Sequence, residues 1–337
     1  MTTVAERRGE TREVPPVLQF LARRLAGALL ALFVASVLIF AATSVLPGDA
    51  ASIVLGRGAT PEAVRQLDRE LHLDRPLLQQ YTSWLGGFVH GDLGDSSVGI
   101  AQGAEHAPVW DIIADPVKNS LILALVTALF MIPLSLALGA LSAVFAGKPI
   151  DHAISIGALA AIALPEFVIG SLLIGVFFVW LDVLPPVAII PPGDDPLSHP
   201  TKLILPVATL LLASLAASIR MVRAGMIEVL RTDYVQTARL NGIREKWVLW
   251  RYAMRNALAP SVQVLAQNLQ WLIGGIIITE AVFAYPGIGT TLVTAVGNRD
   301  LTLVQSIAML IAIVYVLLNL IADLLVFLLV PKLREPA

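Results

Sequence analysis

The chain has 337 residues, 57% of them hydrophobic and 14% charged, with a mean hydropathy of +0.79. That is too little charge to coat a soluble globule of this size, so the composition points to a membrane protein. The near-balance of 23 basic and 25 acidic residues argues against a nucleic-acid surface, and the absence of Cys excludes disulfides, thiolate metal sites and cysteine nucleophiles.

Taken in chain order, an N-terminal segment, 1–24, ends in Arg23 and Arg24 and precedes an uncharged run, Leu25–Leu46. The run exceeds the ~7–15 apolar residues of a signal peptide and lacks a small-x-small cleavage site, so it predicts a retained helix. A loop, 47–116, follows. In it Thr60-Pro61-Glu62 reads as N-cap, N1 proline and acidic first turn, with Val64, Leu67 and Leu71 at helical spacing. A second short helix is expected from about Asp74-Arg75-Pro76, with Leu77, Tyr81, Leu85 and Phe88 on one face and Gly91 as its stop. Five further runs occupy the core, 117–330: Asn119–Gly147, Ala153–Leu181 broken only by Glu166, Leu203–Ile219, Asn256–Thr279, and Leu301–Val330 broken only by Asp323. All six reach or approach the ~20 residues a helix needs to span a bilayer. Their continuous apolarity excludes barrel strands, which would alternate.

With the N-terminus inside, sixteen of the 23 basic residues fall in cytoplasmic segments. Eight of them, Arg220, Arg223, Arg231, Arg239, Arg244, Lys246, Arg251 and Arg255, lie in the single loop 220–255. The positive-inside rule then places both termini, including the tail 331–337, in the cytoplasm. No phosphate-cradling G-x-x-x-x-G-K-[ST], H-E-x-x-H or G-x-S-x-G occurs, so the chain is not expected to be an enzyme or to bind ATP or a metal itself.

Within 220–255 stand Asp233-Tyr234-Val235-Gln236-Thr237-Ala238-Arg239-Leu240-Asn241-Gly242 and then Arg255-Asn256-Ala257-Leu258-Ala259-Pro260. This stretch resembles the cytoplasmic coupling loop of ABC-importer permeases, in the form found in the B-type dipeptide/oligopeptide permeases. Gln236, Thr237 and Ala238 fall at that motif's Glu-Ala-Ala, and Gly242 at its glycine. The likeness continues through Leu46-Pro47-Gly48-Asp49, Leu73-Asp74-Arg75-Pro76-Leu77, Gly91-Asp92-Leu93-Gly94, and Glu280 with Pro286-Gly287-Ile288-Gly289 and Arg299-Asp300. It departs at Asn241, where the family commonly has Lys, at Tyr252, where His is frequent, and at Glu166, which the family pattern does not contain.

The resemblance implies an all-α, polytopic protein with six transmembrane helices, the type I ABC importer permease fold and an extracytoplasmic helical loop after the first helix. It implies residence in a bacterial inner membrane and no cofactor. The implied partners are a second homologous permease, two cytoplasmic ATPase subunits that bind the ATP, and an extracytoplasmic substrate-binding protein. Gln236, Thr237, Ala238, Arg239, Gly242, Arg255 and Pro260 become the expected ATPase-coupling residues. The implied cargo is short peptides, with nickel chelates, glutathione or sugars as alternatives. A secondary transporter is the rival class, and it would need a two-fold repeat of hydrophobic segments that the chain lacks.

Polar groups within the apolar runs are functional candidates because they are costly there. Glu166, near the middle of its run, is a candidate for the pathway or for a bond to a neighbouring helix. Gln263, Gln267 and Gln270 share one helix face with Gly274 and are candidates for lining a wet path. Asn319 and Asp323 are expected to be structural.

Overall fold

A computed structural model of the protein describes residues 16–44, 60–70 and 74–329. Among them the regular structure is helical, apart from an isolated bridge between Asp95 and Pro108. Four helices are each long and apolar enough to cross a bilayer: α1 (Pro16–Ser44), α5 (Val109–Val144), α8 (Pro200–Leu230) and α13 (Leu301–Leu329). Two further apolar segments are bent helix pairs. One is α6 (Pro149–Ala163) with α7 (Glu166–Ile174, widening to a π-helical turn over Gly175–Trp180). The other is the end of α11 (Arg255–Phe283) with α12 (Ile288–Asn298).

The third run is therefore not one straight span. Its two halves meet at 108°. Leu164 is held extended (φ −100°, ψ 136°) ahead of Pro165, which cannot donate to the preceding turn. Glu166 interrupts the apolar pattern, whereas the backbone breaks at the proline beside it. Two other boundaries also move. α5 starts ten residues before Asn119, because Asp111, Asp115 and Lys118 end the apolar run without ending the helix. α8 continues to Leu230, so Arg220 and Arg223 lie on a helical stem that extends eleven residues, roughly 16 Å, beyond Ile219.

α8 is the central post, packing against α5, α6, α7 and α11. The main core joins Leu123 and Met131 of α5, Leu205, Leu210 and Ile219 of α8, and Leu272, Ile276 and Phe283 of α11. Small residues allow the closest approaches. A Cβ at Gly139 would lie 2.6 Å from Cβ of Val222, and one at Gly170 would lie 3.3 Å from the Phe283 ring.

α1 stands at the side, leaning on α13 and on α3 (Leu77–Val89). Arg24 Nη1 meets Asp323 Oδ2 at 2.8 Å near one end of the α1/α13 pair, and Gln305 Nε2 donates to Thr43 Oγ1 at 2.7 Å near the other. The two helices thus run antiparallel. Asn319, one turn before Asp323, donates to the Tyr315 carbonyl of its own helix. Between α1 and α5, α2 (Pro61–Glu70) begins at the expected proline and α3 ends before Gly91, whose φ is +86°. The inward face of α3 sets Tyr81 and Trp84 against Phe40 of α1, with Phe88 packed on Trp84, whereas Leu77 is exposed at the helix start. Tyr81 and Ser36 also share a hydroxyl hydrogen bond of 2.9 Å.

The stretch after α3 is fastened by Asp300. This buried carboxylate accepts from the Ser96 hydroxyl, from Ser97 N at 3.0 Å and from Leu303 N at 3.2 Å, so it caps α13 while holding the start of α4 (Ser97–Ala101). Gly94, at φ +78°, lies where a Cβ would come within 2.9 Å of Thr302.

Candidate coupling loop and polar groups of the bundle

Below the bundle the chain forms α9 (Asp233–Leu240), a reversal, and α10 (Glu245–Trp247), which runs through a π-helical stretch, Val248–Met254, straight into α11. The reversal is a Schellman closure. Ile243 N donates to the Ala238 carbonyl at 3.2 Å and Gly242 N to the Arg239 carbonyl at 3.0 Å. Gly242 takes φ +72°, which only glycine adopts without cost. Ile243 then packs with Val235, Ala238 and Val248, the apolar contact that accompanies this motif.

An exposed bidentate pair spans the corner. Arg239 Nη2 and Nε reach Glu245 Oε1 and Oε2 at 2.6 and 3.2 Å, a cation in the last turn of α9 joined to an anion in the first turn of α10. Each charge also suits the helix end on which it sits. The hydrogen bond to Glu245 pushes the Arg239 pKa above its usual value. Tyr234 completes the frame by accepting from Asn256 Nδ2 at 2.8 Å, which ties α9 to the base of α11.

Of the residues singled out from the sequence, Ala238 faces inward, Arg239 spans the corner, and Gln236 and Thr237 are exposed. Leu240, beside them, is 88% exposed. A large apolar side chain held in the open on a rigid corner is a surface that a partner can grip. Arg255 and Pro260 lie on α11 where side chains fall outside the described residues, as does Gln263.

In the bundle, Glu166 opens α7 and turns its carboxylate onto α11. It accepts from the Thr279 hydroxyl and fills the space beside Gly275, where a Cβ would lie 2.6 Å from Oε2. α11 carries polar side chains on two faces. Asn268 faces α8, donating to the Ser218 hydroxyl and to the Ser214 carbonyl at 3.3 Å. Gln267, Trp271, Gly274 and Ile278 line the opposite, exposed face, with Gln270 half-buried beside them. Trp271 stands midway along α11.

Residues 135–335 match the family described as binding-protein-dependent transport system inner membrane component, and residues 17–124 match the N-terminal membrane component of such systems. The chain belongs to this permease family. It is 35% identical to the glutathione transport system permease protein GsiC of Escherichia coli O6:H1, over 94% of this chain and 99% of the relative. The GsiC proteins of Escherichia coli K12 and Shigella dysenteriae serotype 1 are each 34% identical over the same shares. The protein is thus an inner-membrane permease subunit of an ABC importer, of the dipeptide/oligopeptide-like kind, and a transport component rather than a member of an enzyme class. Membership in this family implies ATPase, substrate-binding and second-permease partners.

Two polar sites of the permease carry more structure than the sequence suggested. Glu280 is fully buried at the corner between α11 and α12. It accepts from the Ser120 hydroxyl, from Gly289 N at 2.7 Å and from Thr290 N at 3.3 Å, and so caps α12 from the end of the preceding helix. Pro286-Gly287-Ile288-Gly289 acquires a physical meaning here. A Cβ at Gly287 would lie 2.0 Å from Glu280 Oε1, and one at Gly289 would lie 2.5 Å from Ile277 Cα. The second site, Asp151 with Arg223, left no motif, because each residue merely bounds an apolar run. The available signal was an acidic residue in the first turn after Lys148-Pro149, in a chain with few charges to spare.

Proposed function

We propose that the permease forms half of the translocation path for short peptides, with a second permease completing the path and two ATPase subunits docking beneath. The observation that carries the coupling role is the rigid corner α9–Gly242–α10 with Leu240, Gln236 and Thr237 in the open. A helix pair closed by a Schellman motif and a bidentate ion pair moves as one body, which a flexible loop would not do. Each bent pair is counted as one crossing, giving six spans with both termini cytoplasmic.

In this reading the exposed α11 face, with Gln267 and Gln270 and with Gln263 at the same helical spacing, borders the path. Amide side chains offer both donors and acceptors, which suits a peptide backbone without committing to one side chain. Glu166, accepting from Thr279 and set against Gly275, braces the buried side of the same helix. A specific observation supports a second cargo within the same class. The GsiC relatives are named for glutathione, itself a small peptide, and the match covers nearly the whole chain. The deciding experiment is uptake of labelled di- and tripeptides and of glutathione by proteoliposomes that hold the complete complex. ATP-dependent accumulation of either supports the reading. Uptake of neither, when the complex hydrolyses ATP in response to another solute, overturns the cargo.

A further inference from the structure

The stem of α8 is joined to the start of α6 by one buried carboxylate. Asp151, 3% exposed, accepts from Arg223 Nε at 2.7 Å and Nη2 at 2.8 Å, from Gly147 N at 2.8 Å, from the Ser142 hydroxyl and, at 3.5 Å, from the Ser155 hydroxyl. Three segments therefore meet on a single side chain. They are the end of α5 through Ser142, the turn at Gly147, and α8 through Arg223. Gly147 holds φ +76°, which aims its N–H at the carboxylate.

The position of this joint gives it a mechanical meaning. Arg223 lies on the α8 stem, ten residues before α9 begins at Asp233. One residue away, Val222 is pressed against Gly139, so the α5 and α8 backbones have little room to slide there. Asp151 is in the first turn of α6, which runs fifteen residues to the 108° elbow, beyond which Glu166 bears on Gly275 and Thr279 of α11. A bidentate guanidinium–carboxylate contact fixes orientation as well as distance, and burial stiffens it. Such a contact resists a tilt of the stem relative to α6.

We infer that Asp151 and Arg223 are positioning residues that convey movement of the coupling corner to the α6–α7 elbow. The inference rests on the coupling role proposed for α9. The sequence of contacts is Gly242 corner, α8 stem, Arg223, Asp151, α6, elbow, α11. Neither residue need touch substrate or ATP for this role.

The test uses the complete complex in proteoliposomes and reads three quantities: ATPase subunits retained per permease, ATP hydrolysed, and labelled glutathione or tripeptide, whichever the native complex accumulates, transported per ATP. Asp151→Asn keeps an acceptor for Ser142 and leaves Arg223 able to reach water. Arg223→Gln combined with Asp151→Asn replaces the ion pair by neutral amides and guards against misfolding of the single variant. In both, ATPase retention and ATP hydrolysis are expected to stay within twofold of the native complex, while substrate per ATP falls tenfold or more. An unchanged ratio overturns the inference. So does a loss of transport that only tracks loss of assembled complex in both variants, since that is a merely structural role. If the native chain retains no ATPase subunits at all, the coupling reading itself fails, and that outcome is seen before any variant is compared.

Discussion

At the scale of single residues, the glycines divide into those that serve φ and those that serve space. Gly242 is the first kind. Its φ is +72° and an added methyl group would meet nothing within 4 Å, so Gly242→Ala should cost about 1–2 kcal/mol of backbone strain. A purified Gly242→Ala chain is expected to keep its bundle, seen as an unchanged helical signal, while binding fewer ATPase subunits. Gly287 is the second kind. Its alanine would collide with the Glu280 carboxylate, and the overpacking should cost about 1–3 kcal/mol, read as a lowered melting temperature in detergent. Glu280→Ala removes the acceptor for two backbone donors and the Ser120 hydroxyl, at a cost of about 1–3 kcal/mol for each group left without a partner. It should therefore destabilise more than Glu280→Gln. Equal melting temperatures for the two variants would remove Glu280 from its capping role.

At the scale of elements, sequence reading captured what periodicity and caps can express. Pro61 starts α2, Gly91 ends α3 with a left-handed turn, and Asn241-Gly242 closes α9. It missed what depends on contacts between distant segments. The 108° elbow follows from Pro165, yet a single proline in an apolar run does not reveal whether the helix kinks slightly or turns a corner. Charge marked the end of apolar runs rather than of helices, which is why α5 begins at Val109 and α8 persists through Arg220 and Arg223. Of the polar candidates, Glu166 was legible as costly, but its partners Thr279 and Gly275 were not, because they lie more than a hundred residues away. At α9, Leu240→Asp should leave the isolated chain as stable as before, since the side chain is 88% exposed, and should reduce retained ATPase at least tenfold. Retention at the native level would show that the partner grips another face.

At the scale of the molecule, the charge balance that looked featureless as a whole separates into parts with distinct tasks. The basic loop 220–255 is divided between the α8 stem, which holds Arg223, and the α9–α10 corner, which Arg239 spans. The described part of the segment between α1 and α5 is held at two places. Aromatic packing secures it to α1 and Asp300 secures it to α13. Because the chain has no Cys, orientation can be read by single-cysteine labelling without first removing any native thiol. Ser83→Cys on exposed α3 is expected to react with an impermeant maleimide in intact cells, and Thr237→Cys on α9 only after permeabilisation. The reverse pattern would invert the topology.

Above all, this chain is expected to move solute only when coupled to ATP hydrolysis by partner subunits. Solute accumulation in proteoliposomes containing the complete complex, measured with and without ATP and with and without an imposed ion gradient, tests this most directly. Accumulation that requires ATP, ignores the ion gradient and is abolished by Leu240→Asp is the expected result. Accumulation driven by the gradient alone, with no ATPase subunit bound to the chain, would contradict it.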